Sequence, residues 1–148
     1  MSTKHNKLQG FTLIEVLVVI ALIAVLAAIT IIAINPQQNF QDARNTQRQS
    51  DVTQILNAIT QYTSKQGNQL SDLGTIPNCT PGPAVAIGTG SGNLDIGTNL
   101  VPTYIVAIPK DPQVGTDANT GYTACKAAAN RIQVNAPSAE GTTISVQR

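Results

Sequence analysis

Between Phe11 and Ile34 the chain reads FTLIEVLVVIALIAVLAAITIIAI, an apolar run broken only by the charge of Glu15 and by two threonines. Threonine hydroxyls bond back to their own helix, so a helix through this run need not stop at them. At its rise per residue such a helix is about 36 Å long, and a bilayer core of about 30 Å can be spanned with some tilt. A helix that is apolar on all sides needs lipid or a large protein core around it. The remaining hundred-odd residues carry too few large apolar side chains to build that core, so the run is read as a membrane-spanning segment.

The ten residues ahead of it, MSTKHNKLQG, carry Lys4, His5 and Lys7 and no acid. The positive-inside bias keeps such a leader in the cytoplasm and sends the C-terminal part out. An ordinary secretory signal has a shorter apolar core followed by a small-x-small cleavage site, whereas here the run is about twice too long and offers only weak small-residue pairs such as Ala27 and Ala28 inside the helix. Cleavage after the apolar run is therefore disfavoured.

The string Gly10-Phe11-Thr12-Leu13-Ile14-Glu15, with Lys4 and Lys7 upstream and the unbroken apolar run downstream, resembles the class III signal of type IV prepilins and type II secretion pseudopilins. The resemblance implies cleavage between Gly10 and Phe11 by a prepilin peptidase on the cytoplasmic side, then N-methylation of Phe11. Glycine suits the position before the bond, because it lets the protease backbone approach without a side-chain clash. A carboxylate at the centre of a membrane helix costs about 2.5 to 3.5 kcal/mol, so Glu15 needs a reason to be there. One is that it lies a turn from the boundary and is wetted by headgroups. The other, supplied by the resemblance, is that it pairs with the N-terminal amine of Phe11 on a neighbouring subunit during assembly.

The rest of the chain reads as a head on this stem. Asn35-Pro36 closes the apolar run and can open a second helical stretch after a kink. Val52, Ile55, Leu56, Ile59 and Tyr62 then follow helical spacing, with Arg44, Arg48 and Asp51 elsewhere around the wheel, and Gly67-Asn68 is a stop. Beyond Gly67, short apolar runs at 84–87, 104–108, 131–134 and 143–146, separated by turn residues, predict strands. The expected organisation is a cleaved leader over 1–10, a membrane and filament-core half-helix over 11–34, an amphipathic half over 35–66 and a β-rich head over 67–148. The fold class is α+β, a long N-terminal helix packed on a small antiparallel sheet, as the resemblance also implies. The proline falls later in the helix than in many members of that family.

Such a head buries little core and gains from a staple. The only cysteines, Cys79 and Cys125, can form a disulfide in an oxidising compartment or remain as two buried thiols, and they are too few for a four-thiolate metal site. Asp111, Asp117 and Asn119 lie in a Gly-, Asp- and Asn-rich stretch, and Ile108-Pro109-Lys110-Asp111-Pro112 resembles the late loop of major pseudopilins, where some members bind calcium. The aromatic residue expected after Asp-Pro is missing, and a turn capped by Asp and Asn accounts for the same residues. No cofactor is expected beyond this calcium alternative.

No catalytic residue is assigned. The single histidine, His5, lies in the leader, and no nucleophile elbow or phosphate loop appears. The glycines of Gly88–Gly92 read as a flexible turn. With 11% charged residues and a net charge of +1, the subunit has no footprint for nucleic acid. The expected function is that of a structural, non-enzymatic subunit of a homo-oligomeric filament. Its implied partners are the membrane, the prepilin peptidase, an assembly platform and a motor ATPase. It would sit first in the cytoplasmic membrane with its head outside, then in an extracellular pilus or a periplasmic pseudopilus. A surface pilin and a type II secretion pseudopilin share this signature. A monomeric membrane-anchored binding domain is the rival of a different class, and it would keep its leader.

Overall fold

Asn35 and Pro36 divide the helical part of the chain in two. The computed structural model describes residues 10–80 and 82–148, apart from the side chain of Asn130; Lys4, His5 and Lys7 of the leader lie outside them. Helix α1 spans Leu13–Ile34 and helix α2 Pro36–Ser64. Between them Asn35 adopts the left-handed region, with φ 44°, while Pro36 has no N–H to give to the preceding turn. The Asn35 carbonyl accepts from the N–H groups of Gln38 and Asn39, so it opens the second helix. The chain up to Asn39 and the segment Phe40–Arg148 form two compact units.

Helix α2 buries Val52, Ile55, Leu56, Ala58 and Ile59, the spacing that puts them on one face. It ends where Gly67 takes φ 92° and the Asn68 side-chain amide donates to the Tyr62 carbonyl at 3.1 Å. Against this face lies a four-stranded antiparallel meander of β1 (Val85–Ala86), β2 (Thr123–Lys126), β3 (Ile132–Ala136) and β4 (Ile144–Gln147), in that order across the sheet. Strand β3 alternates strictly, with Ile132, Val134 and Ala136 buried, as a strand with one wet face must. Leu73, Ile76, Ile87, Leu94, Ile96, Leu100, Tyr122 and Ile144 complete the core. The arrangement is the α+β fold expected.

One local expectation needs correction. Residues 104–108 form no strand: Tyr104 and Ile105 both donate to the Leu100 carbonyl, finishing the turn after the short helix α3 (Gly97–Leu100). With those amides spent, the segment has no ladder to join, and Val106 stands 87% exposed. The strand is instead β2, whose Thr-Ala-Cys-Lys sequence pairs with β3 from Thr123↔Asn135 to Lys126↔Ile132.

Candidate processing and assembly segment

Thr12 starts α1 as a capping residue. Its hydroxyl accepts from the Glu15 N–H at 3.3 Å, while the Glu15 carboxylate Oε2 accepts from the Thr12 N–H at 2.8 Å and from the Thr12 hydroxyl at 2.7 Å. This capping box satisfies donors that a helix start leaves free and sets an acid at the positive end of the helix dipole. Both bonds to the carboxylate use Oε2. Phe11, immediately before the cap, is 89% exposed.

No residue of α1 is buried. Large apolar side chains are exposed all around it, from Leu13 to Ile34. The described residues hold one helical stretch long and apolar enough to cross a membrane, and its apolar window lies near the N-terminus. An unbroken apolar surface of this kind is unstable in water and requires lipid or protein around it.

In the head, two of the polar side chains that the helical wheel sets away from the apolar residues of α2, Arg48 and Asp51, are buried, and Arg44 is half-buried. Arg48 is fully buried and donates to Asp111 through Nε at 2.7 Å and Nη2 at 3.2 Å, to Gln113 Oε1 at 2.7 Å and to Glu140 Oε2 at 3.1 Å. Arg44 forms a bidentate pair with Glu140, both bonds at 2.7 Å. One turn further on, Asp51 accepts from the Tyr122 hydroxyl at 2.7 Å. Burial works to raise the Asp111 pKa, but the Arg48 guanidinium and the N–H groups of Gln113 and Val114 outweigh it and hold the carboxyl below the ordinary range. Asp51, which has no such cation, is pushed up by burial. Helical spacing of apolar residues cannot reveal these partners, which lie 63, 92 and 71 positions away.

Asp111, Asp117 and Asn119 are not gathered into one ligand set. The Asp111 carboxylate is taken by Arg48 and by its own turn. Asp117 is exposed and pairs with Lys110 Nζ at 2.7 Å, and Asn119 Oδ1 accepts from the Gly121 N–H at 3.0 Å. Among the described residues no group of three or more His, Cys, Asp or Glu could hold a metal ion. Gly88–Gly92 is a pinned turn: the N–H groups of Thr89 and Gly90 donate to the carbonyls of Asp117 and Ala118 at 2.9 Å. A side chain at Gly88 would collide with the Ala118 backbone. Cys79 and Cys125 are joined by a disulfide across 46 positions, tying the segment before β1 to β2.

No curated protein and no solved structure matches the chain. Residues 5–34 match the family model of the prokaryotic N-terminal methylation motif. That match takes in His5 to Gly10, Phe11, Glu15 and the whole of α1. The chain therefore carries the prokaryotic N-terminal methylation motif, the signature of the prepilin-type signals of type IV pilins and pseudopilins.

Proposed function

We propose that this chain is the structural subunit of a type IV pilus-like filament, cleaved between Gly10 and Phe11 by a prepilin peptidase and assembled through α1. The observation that carries the reading is that α1, which lies within the matched methylation motif, exposes apolar side chains on every side. Lipid covers this surface in the inserted precursor, and copies of the same helix cover it in the filament. Apolar area alone does not select a register between such helices, so a polar contact must. Glu15 is suited to this role, because its capping bonds use one carboxylate oxygen and leave Oε1 for the Phe11 amine of a neighbouring copy. N-methylation keeps that amine cationic. The head stands outside the cytoplasmic membrane, where an oxidising compartment suits the Cys79–Cys125 bond. Extraction from the bilayer needs an assembly platform and a motor ATPase.

Replacing Glu15 by Val tests the pairing. The precursor should still insert, while the subunit recovered in the sheared fibre fraction falls at least tenfold. Wild-type fibre yield from Glu15→Val would overturn the pairing. If the wild-type subunit never enters the fibre fraction, a short periplasmic pseudopilus replaces the surface pilus.

A further inference from the structure

Seven Lys and Arg residues lie in the segment Phe40–Arg148. Arg44, Arg48 and Lys110 are held in ion pairs, whereas Lys65, Lys126, Arg131 and Arg148 enter none of the ion pairs among the described residues. These four are gathered at one end of the head. Lys126 closes β2 opposite Ile132, Arg131 immediately precedes β3, Arg148 is bonded in both directions to Ile132, and Lys65 follows the end of α2.

At this end lies a cleft of about 830 Å³, lined by both Lys126 and Arg148. Its wall carries buried Ile59, Ile76 and Ile132. Around them stand hydroxyl and amide side chains, among them Thr63, Asn68 and Gln69. Lys65 and Arg148 line a second hollow that shares Thr60 with the first. The backbones that carry the cations are fixed. Lys126 donates to the Pro77 carbonyl and accepts from the Cys79 N–H, beside the disulfide. A preformed concave site with an apolar floor and a few convergent polar groups is what a small ligand requires.

We propose that this cleft binds an acidic oligosaccharide. Lys126 and Arg148 would take its carboxylates or sulfates through charge-assisted bonds, the amides and hydroxyls its hydroxyl groups, and half-buried Leu70, which also lines the cleft, the C–H face of a sugar ring. Single-stranded nucleic acid fits less well, because it needs free aromatic faces to stack on. The aromatic ring of the adjoining hollow, Tyr104, is packed edge-on against Tyr62 with centroids 5.6 Å apart.

The test titrates the full-length mature protein, solubilised in detergent, with trigalacturonate, with neutral maltotriose and with inorganic tripolyphosphate, followed by calorimetry. Trigalacturonate should bind, and Lys126→Gln and Arg148→Gln should each weaken it about tenfold, the loss of one charged hydrogen bond. Lys110→Gln, at an exposed cation outside the cleft, should bind as the wild type does. Arg148 is exposed and Lys126 half-buried, and neither enters an ion pair among the described residues, so thermal midpoints should stay near the wild-type value; a variant that unfolds is replaced by Thr63→Val, which should also weaken binding. The proposal is overturned by no binding at millimolar trigalacturonate, by unchanged affinity in the variants, by equal binding of maltotriose, or by tripolyphosphate binding as tightly, which would mark simple charge attraction.

Discussion

Arg48 and Asp111 form an ion pair at 2.7 Å in which neither side chain is exposed to solvent, and it fastens α2 to the loop before β2. Two charges leave water to make it, a cost that Coulomb attraction recovers only when the remaining donors and acceptors are also matched. Here they are: Gln113, Asn45 and Glu140 take the other guanidinium donors, the N–H groups of Gln113 and Val114 serve the carboxylate, and no buried side-chain polar atom among the described residues lacks a partner. Removing either member should cost about 3 to 5 kcal/mol, because the other charge stays buried. Urea unfolding of Arg48→Ala and Asp111→Ala checks this. The double variant Arg48→Met, Asp111→Leu should cost far less than the two single losses added together, and additive losses would contradict a buried pair.

The same cluster sets the response to acid. Asp111 lies below its ordinary 3.8, and Glu140 below its ordinary 4.5, mainly through the bonds from Arg44. The stability they contribute is complete above those ordinary values and is lost as pH falls through the lowered folded ones. Asp51 has the opposite sign. Raised above 3.8 by burial, it takes up its proton in the folded chain before the unfolded chain does, so its contribution grows as pH falls toward that value. Stability should therefore stay level or rise slightly from neutrality to about pH 4 and fall steeply below it. Urea midpoints measured across this range should show that shape, and Asp51→Asn should remove the rise. A steady decline beginning near neutrality would refute the assignment.

The disulfide closes a loop of 46 positions, for which loop-closure entropy gives about 4 kcal/mol. A head with so small a core should lose much of its stability without it. The Cys79→Ser, Cys125→Ser protein, and the wild type in reductant, should melt well below the oxidised protein; equal melting temperatures would show the core sufficient by itself.

What could be read from sequence follows from what each signal measures. The run from Phe11 to Ile34 is legible because its meaning depends on no distant residue, and Asn35-Pro36 marks the break because their backbone preferences are local. The runs at 84–87, 131–134 and 143–146 lie over β1, β3 and β4, where β-branched residues alternate or cluster. Thr123–Lys126 carries a single β-branched residue, so its sequence alone predicts no strand; the pairing of β2 comes from its neighbours on either side. The opposite holds at 104–108, an apolar run in which the amides of Tyr104 and Ile105 are already used by a turn. Arg48 and Asp51 read as solvated because an amphipathic wheel sorts residues by polarity, and their partners come from Asp111, Glu140 and Tyr122, far along the chain. For the same reason the cationic cleft, assembled from α2, β2, β3, the segment 68–76 and Arg148, has no linear motif.

Retention of α1 behind a newly made N-terminus is the claim on which the functional account rests, and the intact mass of the native protein tests it most directly. The account predicts a chain lacking Met1 to Gly10, carrying one added methyl group on Phe11 and still containing Phe11 to Ile34. A mass that retains the leader, or one that begins beyond Ile34, would contradict it.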